Sequence, residues 1–494
     1  MCLSKGRFAM ITQQNDGLYR KLPQVGELLC HPELQVLFDL YPRELITDFA
    51  REAVDDLRNR LRQEAIAAPE LDEAIAELPQ RIGIRVGLAL APSLRPVINA
   101  TGVLLQTNLG RAPLCRQALE RMAEVAAGYC NLEFDLDTGE RGMRGAAIER
   151  LLLRLLATRQ GIAMEKLFAS KSALIVNNCA AATFLALQSL ADGGEVVVSR
   201  GELVEIGGGF RIPDILRKAG AVLREVGTTN RTRIGDYAAA ITPATRLLLR
   251  VHRSNFRIEG FTEQAPLNDL IALGKQRSVP VFEDQGTGCA VHLDQYGIKD
   301  QAYWPGSAAS DLDLVACSAD KLFGGPQCGI LIGTRDIIET IRRNPLYRAL
   351  RVDKLTCAAL EGTLLTYLAE GEQAMPLFRM LGLPREMVER RCRAVAAKIG
   401  TDDLDATVIP TSSVVGGGTT PGASVPSYAI ALRHASLDAS ALAAELRRLA
   451  PPIVARVNKE QVLLDLRTVA EEQDELLIRS MSTLPSDSTR SKLR

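Results

Sequence analysis

Between residues 97 and 335, short apolar runs alternate with longer stretches that have helical periodicity. The apolar runs predict strands, because they are short and continuous. The predicted strands cover 174–177, 195–199, 246–251, 279–282, 314–317 and 329–332, and the predicted helices cover 180–190 and 267–277. Continuous apolar strands that alternate with helices indicate a parallel sheet with both faces covered. Ligands of such sheets bind beyond the carboxyl ends of the strands.

The segments on either side of this region have other patterns. From 22 to 81, apolar positions recur at helical spacing, as at Leu45, Phe49, Val54, Leu57 and Leu61, which predicts amphipathic helices. After 371 the pattern is mixed, with a glycine run at 416–418 and a late strand at 462–466. The sequence therefore predicts a helical domain at 1–85, a large α/β domain at 86–370 and a smaller α/β domain with a flexible tail at 371–494.

Composition narrows the class of protein. A chain of 494 residues is too long for one core. The 59 basic and 59 acidic side chains balance, so contacts with a polyanion must come from local clusters of charge. The ten cysteines include no CxxC pair and no spacing typical of metal ligands, which predicts a cytoplasmic protein with reduced cysteines and no metal site. We expect neither a signal peptide nor a membrane span.

Two residues at predicted strand ends point to a cofactor. Lys321 follows the apolar run 314–317 and precedes a glycine pair, and Asp284 follows the run 279–282. An enzyme that uses pyridoxal phosphate (PLP) needs a lysine that binds the aldehyde as a Schiff base. It also needs a carboxylate that keeps the pyridine nitrogen protonated. The alternative for each residue alone is a solvated loop position, but the pair in an α/β context favours a PLP site.

A further group of residues is predicted to surround the cofactor. Small and polar residues at the junction between a strand and a helix suit a phosphate, because the helix N-terminus offers backbone N–H groups. An ordinary βα turn is the alternative for that motif alone. Ser318 is expected to donate its hydroxyl to the same phosphate, and His252 and Asn255 are expected to line the crevice. The predicted cofactor-binding residues are Asn177, Asn178, Cys179, Ala180, Asn255, Ser318 and Lys321.

Arginines cluster near the same strand ends. Arg111 follows a glycine, Arg141 and Arg144 lie in a glycine-containing segment, and Arg348 and Arg351 follow the predicted sheet. A solvated basic face is one explanation. Guanidinium groups beside a cofactor crevice also fit a substrate that carries phosphate.

Several longer segments resemble the bacterial L-seryl-tRNA(Sec) selenium transferases, which are fold-type-I PLP enzymes. The resemblance extends from about residue 20 to 475. The matching segments are LPQV at 22–25, VINATG at 97–102, QTNLGRA at 106–112, NLEFD at 131–135, the run 199–213, GTTNRT at 227–232, DKLFGGPQ at 320–327 and RALRVDK at 348–354.

The resemblance implies a fold like that of aspartate aminotransferase, with a small N-terminal helical domain that grips tRNA. It implies that Lys321 carries the PLP and that Arg111, Arg348 and Arg351 hold the phosphate-like group of the selenium donor. The implied reaction converts seryl-tRNA(Sec) into selenocysteinyl-tRNA(Sec), by β-elimination of the serine hydroxyl and addition of selenium from selenophosphate. The implied assembly is a homodecamer, and no membrane partner is expected.

The chain departs from the usual family pattern at a few positions. Cys179 stands where an asparagine is usual, Arg253 where a threonine is usual and Ala319 where a glycine is usual. The segment 286–289 reads GTGC in place of GSGS, and the stretch 159–171 is longer than usual. The alternative functions are a PLP-dependent lyase for a small amino or sugar-acid substrate, and a tRNA-binding protein with a decayed cofactor site.

Overall fold

The structure, a computed structural model, describes residues 17–63, 66, 68–299 and 301–484. The chain divides into two compact units, Met1–Pro96 and Val97–Arg494. The predicted flexible tail falls largely on 485–494, outside the described residues. No helix among the described residues is both long enough and apolar enough to cross a bilayer.

The first unit is helical, as the sequence predicts. In its longest helix the buried residues recur at helical spacing, because the helix turns one apolar stripe inward; they are Ile46, Ala50, Ala53, Val54, Leu57 and Leu61. Its helices are α1 (Val25–Leu29), α2 (Pro32–Gln35), α3 (Arg43–Arg62), α4 (Ala68–Ala76) and α5 (Leu78–Leu90).

The second unit contains two larger sheets and a short strand pair. Its strands are β1 (Ile98–Ala100), β2 (Lys171–Val176), β3 (Glu195–Ser199), β4 (Glu205–Ile206), β5 (Phe210–Arg211), β6 (Val222–Val226), β7 (Thr245–Val251), β8 (Val281–Asp284), β9 (Leu314–Ser318), β10 (Gly329–Thr334), β11 (Leu404–Val414), β12 (Ser424–His434), β13 (Ile453–Asn458) and β14 (Gln461–Asp465).

The helices of the second unit cover the sheets and connect their strands. They are α6 (Arg116–Ala126), α7 (Ala146–Gln160), α8 (Met164–Ser170), α9 (Cys179–Ala191), α10 (Ile212–Lys218), α11 (Ile234–Ala240), α12 (Leu267–Arg277), α13 (Trp304–Ala309), α14 (Arg335–Arg343), α15 (Leu346–Leu350), α16 (Lys354–Ala369), α17 (Pro376–Gly382), α18 (Arg385–Ile399), α19 (Ala439–Leu446) and α20 (Asp474–Met481). The unusually long stretch 159–171 forms the end of α7, all of α8 and the first residue of β2.

The larger sheet has seven strands in the order β2-β10-β9-β8-β7-β3-β6. Strands β9, β8, β7, β3 and β6 are parallel. The prediction of a wholly parallel sheet is wrong at β10, which is antiparallel to both β9 and β2. The connection from β9 to β10 contains no helix, so the chain returns alongside β9 without the crossover that a parallel neighbour needs.

The smaller sheet has the order β1-β13-β14-β12-β11. Its first strand, β1, lies within the predicted domain 86–370 but pairs in parallel with β13, so that Ile98 lies opposite Ile453. A three-residue strand carries too little pattern to predict a partner so distant in the sequence.

Candidate active site

Lys321 lies three residues beyond the carboxyl end of β9, and its side chain is half-buried. The Lys321 Nζ is 3.4 Å from the carbonyl oxygen of Gly418, in the glycine run after β11. The backbone of Gly288 packs closely against Ser318, the last residue of β9, since a Cβ at position 288 would lie 2.0 Å from the Ser318 carbonyl oxygen. Lys321 is therefore held beyond the carboxyl end of β9, and its amine faces the glycine run 416–418, which is distant in the sequence.

Asp284 is the last residue of β8, the strand next to β9. Its carboxylate accepts a hydrogen bond from the Thr183 hydroxyl (2.8 Å) and a long contact from the Cys179 thiol (3.7 Å). Burial raises the pKa of Asp284, and Thr183, Lys321 and Cys179 oppose that rise. No ion pair with Asp284 occurs in the described part of the chain. The carboxylate thus lacks a contacting cation.

The N-terminus of α9 lies beside this carboxylate. The Asn178 side chain caps the helix by accepting from the backbone N–H of Ala181 (2.8 Å). The N–H groups of Cys179 and Ala180, in the first turn, have no intrahelical partner by the geometry of a helix. Asn177 is engaged elsewhere, since its backbone N–H donates to the Leu350 carbonyl (3.0 Å). The predicted phosphate contacts of these four residues stay predictions, and the helix N-terminus suits them.

Asp320, the residue before the lysine, forms an ion pair with Arg111 at 2.5 Å. The Ser318 hydroxyl donates to the other oxygen of the same carboxylate (2.6 Å). Ser318 is therefore already engaged, and its predicted contact with a phosphate stays a prediction. Arg111, by contrast, is joined through its ion pair to Asp320, the residue next to Lys321.

The other two predicted arginines lie in a different setting. Arg351 pairs with Glu133 (3.2 Å), which also binds Arg144 (2.7 Å) and Arg141 (2.9 Å). Against the effect of burial, Arg141 and Arg144 hold the pKa of Glu133 below its ordinary value. The Arg351 Nε is buried without a hydrogen-bond partner in the described chain. Arg348 is exposed, and no hydrogen bond or ion pair between described residues joins Arg111 to Arg348 or Arg351.

His252 and Asn255 follow β7. The backbone N–H of His252 donates to the Asp284 carbonyl oxygen (2.9 Å). Burial, together with Arg250, Arg253 and Lys321, lowers the pKa of His252 to about 4, so the imidazole is neutral at pH 7. Asn255 is exposed and donates to the Glu205 carbonyl (2.7 Å), which fixes the loop rather than contacting Lys321 or Asp284.

Sequence reasoning missed several residues of this site. Thr183 lies four residues after Cys179 on the same face of α9, a spacing that could have revealed it. Asp320 adjoins the lysine but was not assigned a role. Gly418 and Glu133 gave no local signal, because each reaches its partner only through the tertiary fold.

These residues fit the cofactor that the sequence predicts. The site offers a lysine amine, a buried carboxylate without a contacting cation, and a helix N-terminus. A pyridinium nitrogen would compensate the charge of Asp284, and a phosphate would accept hydrogen bonds from the N–H groups at the start of α9. The described residues contain no group of ligands that could hold a metal ion.

Comparisons with known proteins agree with this geometry. Residues 97–470 match the family model described as L-seryl-tRNA selenium transferase, and residues 19–58 match the one described as Selenocysteine synthase N terminal. The L-seryl-tRNA(Sec) selenium transferase of Aquifex aeolicus is 39% identical over 471 residues, 95% of this chain and 99% of that protein. The protein of the same name from Carboxydothermus hydrogenoformans is 42% identical over 459 residues, 92% and 95% of the two chains.

Among solved structures, D-glucosaminate-6-phosphate ammonia-lyase superposes with a TM-score of 0.54 at 20% identity, covering 80% of this chain and 96% of that one. At that identity the likeness shows the fold alone. The second unit thus has the fold-type-I architecture that the sequence predicts.

Proposed function

Because the chain belongs to the L-seryl-tRNA selenium transferase family, we propose that it converts seryl-tRNA(Sec) into selenocysteinyl-tRNA(Sec) with PLP as cofactor and selenophosphate as selenium donor. The observation that carries the proposal is the placement of Lys321 and Asp284 at the ends of adjacent strands. Asp284 is buried, and its hydrogen-bond donors among the described residues are all neutral, which fits a partner that is a cation when bound.

When bound, PLP supplies an electron sink for the charge that develops at the α-carbon of the serine. Asp284 would hold the ring nitrogen and, as a carboxylate, would favour a proton on it. Thr183 orients the Asp284 carboxylate through its hydroxyl. Lys321 Nζ would hold the cofactor through its aldehyde, and as a free amine it would accept the α-proton of the serine as a general base.

The arginines supply the contacts for the phosphate of the selenium donor. Arg111 is the best placed of the three, since its ion pair with Asp320 holds it next to Lys321. Arg351 has a buried Nε–H without a partner among the residues that the structure describes, and an incoming phosphate oxygen would satisfy it. Arg348 is exposed and free to approach from solvent. Because guanidinium groups match phosphate oxygens, this set suits selenophosphate.

The helical unit is proposed to hold the body of the tRNA. A groove of about 220 Å³ between α3 and α5 is lined by Arg60, Arg81 and Arg85, and Arg85 pairs with Asp56 in the same groove. Such a local cluster supplies the phosphate contacts that a balanced net charge does not. We also propose that the protein works in the cytoplasm as a homo-oligomer, a decamer by the family pattern.

The lyase alternative is less well supported. The match to the N-terminal family model covers residues 19–58 of the helical unit, and a small substrate gives no reason for such a unit. The presence of both Lys321 and Asp284 also argues against a tRNA-binding protein with a decayed cofactor site.

The test is conversion of seryl-tRNA(Sec) by the holoenzyme with selenophosphate, with ordinary seryl-tRNA as the control substrate. We expect Lys321→Ala to abolish both turnover and the visible absorbance of the lysine-bound cofactor. Lys398→Ala, which removes an exposed lysine paired with Glu475, serves as the matched control and should change neither. A Lys321→Ala protein that keeps both properties would disprove the assignment, and a wild-type protein without turnover would disprove the proposed reaction.

A further inference from the structure

A groove of about 570 Å³ opens beside His252 in the second unit. We propose that this groove, lined by Arg253, Phe256, Arg257, Lys299 and Thr420, binds the single-stranded 3′ end of the RNA that carries the esterified serine. The inference rests on the proposed function and deepens it, since it names where the reacting end of the RNA enters the site.

Two residues that line the groove connect it with Asp284 and Lys321, which do not line it themselves. His252 lines the groove, and its backbone N–H donates to the Asp284 carbonyl. Thr420 lines it from the opposite segment, two residues after Gly418, whose carbonyl oxygen contacts Lys321 Nζ. A chain in this groove would therefore deliver its terminal group to Lys321.

The charges of the groove suit a polyanion. Arg253, Arg257 and Lys299 face one carboxylate, that of Glu259, among its lining residues. Arg257 and Glu259 are 3.8 Å apart and both mostly exposed, and an ion pair of that kind contributes little. The Arg253 guanidinium makes no hydrogen bond or ion pair with a residue that the structure describes. These cations remain available for phosphates.

An aromatic ring and two unpartnered polar atoms complete the site. Phe256 is 36% exposed along the groove, and single-stranded nucleic acids stack their bases on such rings. The His252 Nδ1 and the Thr420 Oγ1 are buried without a hydrogen-bond partner within the described chain. Because a buried polar atom without a partner is unfavourable, a ligand with hydroxyl groups, such as a terminal ribose, fits these two positions.

The size of the groove argues against serine alone as its ligand. A cavity of this volume is typical of sites for ligands of several ring systems, since such pockets measure about 300–1,000 Å³. A free phosphate would use the cations but neither Phe256 nor the volume. The terminal nucleotides of an RNA use all three features.

The experiment compares two RNAs with the full-length holoenzyme: tRNA(Sec) and the same tRNA(Sec) lacking its 3′-terminal CCA. The variants are Arg253→Thr, which restores the usual family residue, the double variant Arg253→Thr/Arg257→Ala, and Phe256→Ala. Arg217→Ala is the control, because Arg217 is an exposed arginine on α10 paired with Asp214, outside the groove. Cofactor absorbance and melting temperature report on folding, and the altered side chains are largely at the surface.

We expect the double variant to weaken binding of intact tRNA five- to tenfold and to leave the shortened tRNA unchanged. Each lost phosphate contact should reduce the salt dependence of binding by about 0.7 in the slope of log K against log salt. Phe256→Ala should weaken intact tRNA about fivefold without altering that slope. In turnover assays of these variants, the KM for seryl-tRNA should rise, whereas kcat should stay within about twofold of the wild-type value.

Equal weakening of both RNAs, or no change for either, would overturn the groove assignment, because the arginines would then contact another part of the RNA or none. Inorganic phosphate, added as a competitor, tests for a plain anion site. If phosphate displaced the shortened RNA from the wild-type protein and this competition were lost in the double variant, the arginines would bind an anion without the 3′ end. That result would also overturn the groove assignment. Failure of the wild-type protein to form selenocysteinyl-tRNA is a different result, which rejects the proposed function and leaves the RNA comparison to decide the groove.

Discussion

Two buried carboxylates lie at the carboxyl ends of the adjacent strands β8 and β9, and they differ in their partners. Asp284 ends β8 and is 7% exposed, and Asp320 follows β9 and is 4% exposed. Asp320 has a cation, Arg111, and a hydroxyl donor, Ser318. Within the described chain, the Asp284 carboxylate has only a hydroxyl and a thiol as partners, from Thr183 and Cys179.

This difference in partners indicates that Asp284 suits a ligand, whereas Asp320 positions another side chain. A buried carboxylate without a contacting cation is unfavourable, because burial penalises its charge. Asp284 fits this description, since burial raises its pKa, and it therefore suits a cation that comes from outside the chain. Asp320 already has its cation, and it serves to hold Arg111 beside Lys321.

The largest expected effect comes from Asp284→Asn. We expect turnover to fall at least a thousandfold, because the ring nitrogen loses the charge that keeps it protonated. In the cofactor-free protein the same change should raise the melting temperature at neutral pH, since it removes an uncompensated buried charge. Because the pKa of Asp284 is raised in the folded protein, the wild-type protein loses stability as pH rises through that pKa. The difference in stability between the variant and the wild type should therefore vanish at acid pH, where Asp284 is protonated.

Turnover assays and thermal unfolding of the cofactor-free protein from pH 4 to 8 provide the measurements. A lower melting temperature for Asp284→Asn at neutral pH would contradict the contrast with Asp320.

Asp320→Asn should act in the opposite direction on stability. It leaves Arg111 without its partner, which should lower the free energy of unfolding by roughly 1–3 kcal/mol. Turnover should fall about ten- to a hundredfold, with a larger rise in KM for selenophosphate than for the tRNA. Chemical denaturation and steady-state kinetics with each substrate varied test this, and equal effects on both KM values would rule out a role in positioning Arg111.

Thr183→Val removes the hydroxyl donor of Asp284 while keeping the shape of the side chain. We expect about a tenfold loss of kcat and a pH-dependent change in the cofactor spectrum, because the carboxylate is no longer oriented. Thr183→Ser keeps the hydroxyl and should restore both properties. Were the serine variant as impaired as the valine variant, packing rather than the hydrogen bond would explain the loss.

The smallest effect on turnover is expected from His252→Asn, which probes the surroundings of Asp284. The lowered pKa of His252, about 4, means that the unfolded chain binds a proton below about pH 6.5 while the folded chain does not. Wild-type stability should therefore fall as pH drops from 6.5 to 4, by roughly 3 kcal/mol more than that of the variant. Identical pH profiles of unfolding would show that His252 is not buried in its neutral form.

The strands of the large sheet were predictable because most are continuous apolar runs, but two of their ends were not. The predicted strand 279–282 is shifted to Val281–Asp284, since Pro280 has no N–H to donate to the ladder. Lys171 begins β2 although it is charged, because its Nζ donates to the carbonyls of Ser310 and Leu312. β6 was missed, since Val222 and its neighbours at the sheet edge are partly exposed and lack a continuous apolar pattern.

The cofactor residues were predictable from their positions after strands, and the partners of those residues were not. Lys321 and Asp284 are recognisable because both follow apolar runs and parallel strand ends meet at one edge. The pairing of Arg351 with Glu133, 218 residues away, has no local signal. The expectation that Arg111, Arg348 and Arg351 act as a set remains a prediction, and no hydrogen bond or ion pair between described residues joins any two of these side chains.

The sequence by itself determined the alternation of strands and helices, the helical first unit and the identity of the two residues that are predicted to bind the cofactor. These properties depend on periodicity and on residue type, which are local. Only the tertiary structure decided which buried carboxylate has a cation, which loop faces Lys321, and where the groove beside His252 begins. Those outcomes depend on contacts such as Arg111 with Asp320 and Lys321 with Gly418, and the long segments that separate these residues leave no pattern in the chain.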